Sequence, residues 1–534
     1  MKKLLFGDEA VAQGAIDSGL SGVYAYPGTP STEITEYIQR YCSETGAPLH
    51  SRWCTNEKTA MEAALGMSFA GKRALVCMKH VGMNVAADCF VNSALTGANG
   101  GLVVLVADDP SMHSSQNEQD SRFYGKFAMV PILEPSSQQE AYDMMAYAYD
   151  LSETLKLPVL VRTVTRLAHS RAVVVTRPAR SRNALNPVSG TRDWVLLPAI
   201  ARRRYAGLLE LQDNMEQIAV ESPFNSFVSP ARRFETGAVA CGIAYNYLKE
   251  CFPQGIPFPV LKLSHYPVPA DVIRTMAEQC ESIIVFEDGQ PFVEERISGI
   301  FANECRVLGR LSGELPRQGE LNPDIIRVAL GLETLPHFDM AENVVSRPPQ
   351  LCQGCGHRSV YEALNRVLED CPDAKVFGDI GCYTLGALPP YKALDSTVDM
   401  GASITMAKGA ADAGVFPAVA VIGDSTFTHS GMTGLLDAVN GNAPITVIIS
   451  DNLTTAMTGG QDSAGTGRIE AICLGLGVDP KHLRTVVPLP QNMDEITSIL
   501  REEIGYHGLS VIIPRRECIQ TLSRRLKSAK NGMK

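Results

Sequence analysis

Residues 419–452 read VAVIGDSTFTHSGMTGLLDAVNGNAPITVIISDN, and this stretch decides the fold. An apolar run at 419–422 is followed by the turn Gly423-Asp424-Ser425, by apolar residues at helical spacing, and by a second apolar run at 445–449. The pattern predicts a strand–turn–helix–strand unit of a parallel sheet. Polar residues then follow the carboxyl end of each strand, which is the edge at which open α/β sheets bind ligands.

The turn has the chemistry of a phosphate and metal site. Gly423 lets the backbone approach a phosphate, and the N-terminus of the following helix favours an anion. Asp424 and Asn452 offer oxygen ligands at the ends of neighbouring strands, and the carbonyl of Thr454 adds a third. Such a set suits an octahedral Mg²⁺ that also takes phosphate oxygens. Taken alone, however, GDS more often marks an ordinary strand–turn–helix connection with a capping aspartate.

The combination of GDS with an asparagine after the next strand resembles the diphosphate-binding motif of thiamine diphosphate (ThDP) enzymes. Ser425 stands where the second glycine of that motif is usual. The resemblance implies that ThDP binds here through Mg²⁺, with Gly423, Ser425 and Thr426 at the cofactor. His429 is a candidate contact for substrate or diphosphate, and a helix-capping role explains it equally well.

The composition is that of a globular protein. The 534 residues suffice for three domains, with 45% hydrophobic and 20% charged residues, and the net charge of −10 argues against a nucleic-acid surface. The start, MKKLLFGDEAV, has only a short apolar run, and no apolar stretch approaches a membrane span. We therefore expect a cytoplasmic protein whose 14 cysteines are thiols or metal ligands rather than a disulfide framework.

Alternating strand-like and helical patterns predict an α/β protein with three doubly wound parallel-sheet domains. The predicted order is a first domain at 1–170, a linker at 171–192, a second domain at 193–345 and a third at 346–534. Strands are predicted in the first domain at 23–26, 74–78, 102–106 and 159–164, and in the second at 238–241, 260–263 and 282–287.

The loop YPGTPSTE at 26–33 follows the first of these strands and leads into a helix. Its two prolines make a rigid turn, and Ser31 or Thr32 can cap the helix. Capping alone explains the loop as well as the functional alternative does. In that alternative, Thr29 hydrogen-bonds the carboxylate or carbonyl of a substrate.

The segment NEKTAMEAALG at 56–66 predicts a helix of small residues. A solvated carboxylate at the helix start is the simplest interpretation of Glu57. The segment also resembles the part of ThDP enzymes that carries their recurring acid, and Glu57, rather than Glu62, has the family spacing to Gly66. The resemblance implies that Glu57, buried and protonated, hydrogen-bonds N1′ of the aminopyrimidine and helps the cofactor to form its nucleophile.

Two further loops of the first domain combine polar residues with glycines, MKHVGMN at 78–84 and ADDPSMHSSQNEQDSR at 107–122. Solvated surface explains them equally well. As strand-end loops they would face the cofactor, with His80, Gly82 and Asn84 near the thiazolium. Arg122 is then a candidate clamp for the carboxylate of a 2-oxoacid, because a guanidinium binds carboxylate at two points.

The third domain opens with the cysteine pair of LCQGCGHR at 351–358. A single CxxC can be a redox dithiol, half of a zinc site or an iron–sulfur ligand pair, and no second CxxC completes a zinc ribbon. Cys382, in GDIGCY, and Cys518, after the last apolar run, also lie at predicted strand ends. Each could equally be a buried core thiol.

CxGCGH, GDIGC, GDST…N and a late strand-end cysteine occur here in the order seen in 2-oxoacid:ferredoxin oxidoreductases. The sequence resembles more closely still the large (alpha) subunit of the indolepyruvate:ferredoxin oxidoreductase family, through motifs along almost the whole chain: AYPGTPS, MKHVG-x-NVA-x-D, ADDPSMHSSQNEQDSR, DIGCYTLG, MGASI, GDSTF-x-HSG and TTAMTGGQ. The resemblance implies one [4Fe–4S] cluster with four cysteine ligands, Cys352, Cys355, Cys382 and Cys518. It also implies further residues at the cofactor: Asp379, Gly381, Gly401, Ala402 and Ser403.

By the same resemblance, the first domain binds the pyrimidine of ThDP, the second is of the transketolase C-terminal type, and the third binds pyrophosphate and Mg²⁺. The implied reaction is oxidative decarboxylation of an aryl 2-oxoacid, such as indolepyruvate or phenylpyruvate, to the acyl-coenzyme A and CO₂. Subunits of this family usually continue into a ferredoxin-like module, whereas this sequence stops soon after Cys518. We therefore expect an external acceptor such as ferredoxin, a small second (beta) subunit, and a hetero-oligomer built on a dimer of this chain.

Three other interpretations stay open. A non-oxidative ThDP decarboxylase or synthase would share Glu57, Asp424 and Asn452 but would need no cluster. A catalytically idle partner-binding or regulatory subunit could keep the same fold. The cysteines could also hold zinc.

Overall fold

The computed structural model describes residues 1–189, 191–229, 232–298, 305–337, 341, 343–345, 347 and 349–532. The chain divides into two compact units, Met1–Phe338 and Asp339–Lys534. Parallel sheets covered by helices build both units, so the predicted α/β class is confirmed.

The first unit contains a seven-stranded sheet in which six strands are parallel and one edge strand is antiparallel. In spatial order its strands are His265–Tyr266, Ile132–Leu133, Val159–Val164, Leu102–Asp108, Ala74–Lys79, Gly22–Ala25 and His50–Trp53. Each of the four predicted strands is present. The antiparallel edge strand comes from the middle of the chain, which the sequence pattern did not indicate.

A second sheet of the first unit has four parallel strands and one antiparallel edge strand. Its spatial order is Arg306–Leu308, Cys280–Phe286, Phe234–Cys241, Val260–Leu263 and Ser226–Val228. Val239 and Leu261 belong to the same apolar core as the seven-stranded sheet, whereas Ala238 and Ala240 pack into a separate cluster on the opposite face. The two sheets therefore share one core, which explains why they form a single unit.

The predicted linker at 171–192 begins as a strand. Arg171–Val175 pairs antiparallel with Lys2–Phe6, and residue 190 lies outside the described residues. The predicted boundary at 345–346 also adjoins a residue outside the described part, so the domain limits stay a prediction. The helices of the first unit are Gly7–Asp17, Thr32–Thr45, Glu57–Phe69, His80–Thr96, Arg122–Ala128, Gln138–Leu155, Thr165–His169, Pro198–Val220, Ala244–Cys251, Ala270–Gln279, Phe292–Ser298 and Pro323–Ala329.

The second unit is built on a six-stranded, all-parallel sheet. Its spatial order is Ser396–Thr397, Lys375–Gly378, Ala418–Gly423, Ile445–Ser450, Ser510–Pro514 and Leu483–Val486. Val419 and Val421 pack into one apolar cluster and Ala420 and Ile422 into another, because successive side chains of a strand point to opposite faces. The helices are Gly356–Leu368, Ala402–Asp412, a continuous run from Asp424 to Asn440, Ile469–Gly475, Met493–Ile504 and Ile519–Gly532.

Candidate functional site

Asp424 begins the helix that follows the strand Ala418–Gly423, and Asn452 follows the neighbouring strand, in which Ser450 pairs in register with Gly423. Asp424 is 2% exposed, and its Oδ2 has no hydrogen-bond partner among the described residues. Burial, and secondly the charge of Asp451, raise the pKa of Asp424 to about 7. A buried carboxylate with an unsatisfied oxygen needs a proton or a cation. Asp424 therefore fits the predicted role of Mg²⁺ ligand.

The turn after Asn452 is held by local hydrogen bonds. The amide of Thr454 donates to Asn452 Oδ1 at 3.1 Å, and Thr454 Oγ1 donates to the carbonyl of Gln461 at 2.9 Å. Leu453 between them has a left-handed backbone, with φ +63°, a conformation that residues other than glycine adopt at an energetic cost. This rigid turn holds Asn452 at the sheet edge, and an amide oxygen that accepts one hydrogen bond has a second lone pair for a cation.

The helix from Asp424 to Asn440 contains a π-helical turn at Phe427–Gly431, a feature often found at functional sites. His429 is buried in this turn, with Nδ1 2.6 Å from Ser430 Oγ. Ser425 Oγ lies 2.6 Å from the hydroxyl of Thr455, which joins the helix start to the Thr454 turn. Thr426 Oγ1 donates to the carbonyl of Ile380 at 3.0 Å. The predicted contacts of these side chains with ThDP stay predictions.

Asp379 has a structural role that its motif did not indicate. Its buried carboxylate accepts the amide of Gly401 at 2.6 Å and both the amide and the hydroxyl of Ser403, at 3.2 and 2.5 Å. Burial raises the pKa of Asp379 to about 6. The carboxylate thus caps the helix that begins at Ala402, and Gly401, at φ +103°, supplies the left-handed residue before it.

Tyr383 explains why two predicted cofactor residues are glycines. A Cβ at Gly423 would lie 2.5 Å from the Tyr383 ring, and a Cβ at Gly381 would overlap the same ring. The Tyr383 hydroxyl donates to the carbonyl of Ile380 at 2.9 Å, so the ring cannot easily move aside. Both glycines are therefore required by packing, whether or not the backbone also approaches a phosphate.

Four cysteines from three segments line one cavity of about 220 Å³, which we call the cysteine cavity: Cys352, Cys355, Cys382 and Cys518. Asn452 lies in its wall, and the amide of Cys518 donates to the carbonyl of Asn452 at 3.1 Å. Burial, followed by the charges of the other three thiols of the cavity, raises the pKa of Cys382 to about 12. Such thiols become ligands only when a bound cation stabilises their thiolates.

The spacing of these thiols disfavours a single metal ion. A tetrahedral zinc with Zn–S bonds of about 2.3 Å holds its sulfurs roughly 3.8 Å apart. Among the described residues, the one group of three or more His, Cys, Asp or Glu side chains with ligand atoms all within 4.8 Å of one another is Asp8, Glu33 and His169. As the structure places them, no three of these thiols are that close together, and four thiols around one cavity match the ligand number of an iron–sulfur cluster, which binds each thiolate through a different iron atom. The cysteine cavity thus fits a [4Fe–4S] cluster.

In the first unit, Glu57 begins the helix Glu57–Phe69 because Asn56 caps it, accepting the amide of Thr59 at 2.9 Å. Glu57 is 4% exposed, whereas Glu62 is exposed on the outer face. A Cβ at Gly82 would lie 2.5 Å from Glu57 Oε1. The structure therefore brings these two predicted site residues together, and the glycine leaves room for the carboxylate.

His80 and Asn84 lie on the same helix, His80–Thr96. His80 is buried, with Nε2 3.1 Å from the carbonyl of Asn117, and its Nδ1 has no partner in the described part of the chain. Burial lowers the pKa of His80, which favours the neutral form of its ring. Asn84 is exposed and accepts the hydroxyl of Tyr124 at 2.5 Å.

The Thr29 loop differs in detail from the prediction. Ser31 takes the capping position of the helix Thr32–Thr45, but its hydroxyl donates to the carbonyl of Gly28 at 2.7 Å instead of capping that helix. Thr32 accepts the amide of Gly28 at 3.0 Å. The prediction of a side-chain cap for this helix is therefore wrong, because these hydroxyls form hydrogen bonds within the loop instead. Thr29 is half-buried within the loop.

Arg122 is not a substrate clamp, which corrects its predicted role. The side chain is 0% exposed, and Nε donates to Asp120 at 2.9 Å. Nη1 lies 2.8 Å from Glu287 Oε2, and Nη2 donates to the carbonyls of Asp288 and Gln290 at 3.2 and 3.0 Å. Every nitrogen of the guanidinium is thus used inside the first unit, so none is available to a substrate carboxylate.

A second buried arginine, Arg162, was not identified from the sequence. Its Nε donates to Asp108 at 2.6 Å, Nη1 pairs with Glu134, and Nη2 donates to the carbonyl of Asp288 at 3.0 Å. An arginine within the apolar strand VLVRTV at 159–164 was the available signal, since an arginine is rarely fully buried unless it is paired.

Two family models match this chain. The model described as "Pyruvate flavodoxin/ferredoxin oxidoreductase, thiamine diP-bdg" matches residues 13–189, which include Glu57. The model described as "Thiamine pyrophosphate enzyme, C-terminal TPP binding domain" matches residues 379–512, which include Asp424 and Asn452. Together with the parallel sheets and their strand-end residues, these matches define the class as a ThDP-dependent 2-oxoacid oxidoreductase.

Curated relatives identify the family within that class. Indolepyruvate oxidoreductase subunit IorA of Archaeoglobus fulgidus is 39% identical over 98% of this chain and 87% of the relative. The subunits of the same name from Methanothermobacter thermautotrophicus and Pyrococcus abyssi are each 37% identical, over 97% and 96% of this chain and 87% and 85% of the relatives. The chain belongs to the indolepyruvate oxidoreductase IorA family, and it is a ThDP-dependent catalytic subunit.

The solved structures that resemble this chain in fold include 2-oxoglutarate:ferredoxin oxidoreductase from Magnetococcus marinus, with 2-oxoglutarate, coenzyme A and succinyl-CoA bound. The TM-score is 0.50 at 16% identity, covering 62% of this chain and 65% of that chain. The likeness agrees with the α/β architecture. None of the helices in the described residues has the length and apolar character needed to cross a membrane.

Proposed function

We propose that this chain oxidises aryl 2-oxoacids of the indolepyruvate or phenylpyruvate type to their acyl-coenzyme A thioesters. The balanced half-reaction is R–CO–COO⁻ + CoA–SH → R–CO–S–CoA + CO₂ + 2e⁻ + H⁺. The C–C bond to the carboxylate breaks, a C–S bond forms, and the two electrons pass through a [4Fe–4S] cluster to an external carrier such as ferredoxin. The names of the curated relatives support the aryl substrate.

One observation carries the oxidative reaction. The cysteine cavity has Asn452 in its wall, and Cys518 is hydrogen-bonded to the backbone of that residue. Four thiols therefore adjoin the edge of the sheet that carries the proposed Mg²⁺ ligands. A non-oxidative ThDP decarboxylase has no need of such a group, because its electrons never leave the substrate.

The chain's own residues would hold the cofactors. When bound, ThDP supplies the nucleophile and electron sink for decarboxylation, and an iron–sulfur cluster accepts electrons singly. Asp424, Asn452 and the carbonyl of Thr454 hold Mg²⁺ in this proposal, because they combine a buried, unsatisfied carboxylate with two neutral oxygens. Glu57 would orient the aminopyrimidine through a hydrogen bond, and Gly82 leaves it the space to do so.

The partners are also proposals. The relatives are named as subunits, which supports a partner subunit. That this partner is smaller, and that the hetero-oligomer is built on a dimer of this chain, belong to the proposal. The Magnetococcus marinus enzyme has coenzyme A bound, which supports coenzyme A as the acyl acceptor here. A cytoplasmic location stays a prediction.

Iron and acid-labile sulfide analysis of anaerobically purified protein tests the cluster. We expect about four of each per chain and a broad visible absorption, with Cys382→Ser losing both. Cys371→Ser is the matched control, since Cys371 lies in the same unit outside the cysteine cavity. Protein that lacks iron and sulfide, or that holds zinc instead, would remove the electron acceptor from the proposal.

Anaerobic turnover with a viologen dye tests the reaction itself. We expect dye reduction that depends on coenzyme A, with indolepyruvate and phenylpyruvate preferred over pyruvate and 2-oxoglutarate. The assay is run with and without the co-expressed second subunit. Aldehyde formation without coenzyme A would favour a non-oxidative decarboxylase, and failure to bind ThDP with Mg²⁺ would favour an idle subunit.

A further inference from the structure

Three residues outside the proposed active site meet at one end of the first unit. Asp8 lies in the first turn of the helix Gly7–Asp17, Glu33 lies in the first turn of Thr32–Thr45, and His169 ends Thr165–His169. One ligand atom of each lies within 4.8 Å of the others. No other His, Cys, Asp or Glu group in the described ranges is this compact. Three distant segments thus converge on one small volume.

Asp8 supplies the observation that points to a ligand. Its side chain is 0% exposed, and neither carboxylate oxygen has a hydrogen-bond partner among the described residues. Glu33 Oε2, which is also buried, is likewise unpartnered there. Burial, followed by the charges of Glu33 and Glu9, raises the pKa of Asp8 well above its usual range. A fully buried carboxylate left this way destabilises the fold unless a cation neutralises it.

The group is accessible from one side. The side chains of Glu33 and His169 are 40% and 39% exposed, and His169 Nε2 lies 3.6 Å from Glu33 Oε1. His169 also lines a surface cavity of about 320 Å³ together with His113, Arg166 and Glu320. The exposed members of the group are therefore Glu33 and His169, whereas Asp8 is fully buried.

We propose that Asp8, Glu33 and His169 bind a divalent transition-metal ion, for which Zn²⁺ is the probe. Two carboxylates and one imidazole are a ligand set of zinc, manganese and iron sites. Mg²⁺ and Ca²⁺ are excluded as the preferred ions because they take oxygen ligands rather than imidazole. Three protein ligands leave further positions for water. The ion neutralises the buried carboxylate and cross-links the three segments, including the helix that follows the Thr29 loop.

Metal analysis by equilibrium dialysis against buffered Zn²⁺ tests the site in protein that holds its ThDP, Mg²⁺ and iron. We expect wild type to retain one more equivalent of Zn²⁺ than Asp8→Asn, with an affinity at least tenfold higher. Glu44→Gln, an exposed position on the same helix as Glu33, is the control and should match wild type. Equal zinc in wild type and Asp8→Asn overturns the proposal. Unchanged ThDP and iron contents separate this outcome from any failure of the proposed function.

Thermal unfolding distinguishes a metal ligand from a structural acid. Without added metal, Asp8→Asn should melt at or above the temperature of wild type, because it removes a buried charge. Zn²⁺ should raise the melting temperature of wild type and leave that of the variant unchanged. An Asp8→Asn protein destabilised to the same extent with and without Zn²⁺ would refute the proposal. If Asp8→Asn does not fold, the variant His169→Ala, at the exposed side of the group, tests the site instead. Retention of the extra zinc by His169→Ala would refute the proposed site.

Discussion

Asp424→Asn is the substitution that probes the proposed Mg²⁺ site most directly. Asparagine has the shape of the protonated acid but cannot ionise. The pKa of Asp424 is about 7 in the folded protein, against 3.8 for an ordinary aspartate. Because this acid has a raised pKa, the stability it contributes is complete below pH 3.8 and is lost as the pH rises towards 7.

The size of the effect follows from that difference. At 1.36 kcal/mol per pKa unit, the ionised form costs about 4 kcal/mol at pH 8 and less than 1 kcal/mol at pH 4. Without Mg²⁺ and ThDP, Asp424→Asn should therefore stabilise the second unit by up to about 4 kcal/mol at pH 8, with the gain disappearing towards pH 4. With both ligands present at a hundredfold excess over Kd, wild type gains about 2.7 kcal/mol and the variant gains little, so the advantage of the variant at pH 8 should narrow to about 1–2 kcal/mol.

Hydrogen-exchange mass spectrometry is the suitable assay. Both tryptophans, Trp53 and Trp194, lie in the first unit, so their fluorescence does not report the second. Protection of the strands Ala418–Gly423 and Ile445–Ser450 reports it instead, after correction for the intrinsic exchange rate at each pH. Two results would refute the argument. One is a ligand-free variant whose strands are less protected than those of wild type at pH 8, and the other is a gain in protection that is equal at pH 5 and pH 8.

Gly82→Ala should lower turnover at least tenfold, because its methyl group would lie 2.5 Å from Glu57 Oε1; unchanged turnover shows that the carboxylate is not needed there. Burial lowers the pKa of His265 from 6.5 to about 3, so stability present above pH 6.5 is lost as the pH falls, by about 2 kcal/mol at pH 5. His265→Gln should remove this loss, as measured by urea unfolding followed by tryptophan fluorescence, and an unaltered pH dependence would contradict the assignment. Arg162→Met removes the guanidinium that pairs with the buried carboxylates of Asp108 and Glu134, and should cost about 3–5 kcal/mol in the same assay. Arg180→Met, which removes an exposed ion pair, should cost less than about 1 kcal/mol, and equal costs would show that burial is not decisive.

The buried ion network also bears on the architecture of the first unit. Arg122 and Arg162 belong to the part of the chain that forms the first sheet. Both donate hydrogen bonds to the backbone carbonyl of Asp288, which follows a strand of the second sheet. Together with the shared apolar core, these contacts join the two sheets. We infer that the second sheet positions the Arg122 loop, so its contribution to the enzyme is structural.

The sequence alone determined the elements and the order of the motifs. Apolar periodicity placed four of the seven strands of the first sheet within two residues, because the alternation of a strand and the 3.6-residue turn of a helix are local properties of the backbone. Motif spacing likewise singled out Glu57 rather than Glu62, and the structure buries the former and exposes the latter. Cys352 and Cys355 were noted as a CxxC pair and Cys382 and Cys518 by their positions at strand ends, and the family resemblance joined them into one ligand set.

Only the tertiary structure decided which of these residues meet and which are buried. Arg122 lies in a polar loop, and nothing local shows that Glu287, far along the chain, occupies its guanidinium. Cys352 and Cys518 share a cavity only because the parallel sheet brings their segments to one edge. Asp8 is an ordinary helix-start acid until Glu33 and His169 pack beside it. Burial and charge pairing depend on segments distant in the chain, so a local pattern can indicate the chemistry of a residue but not its partners.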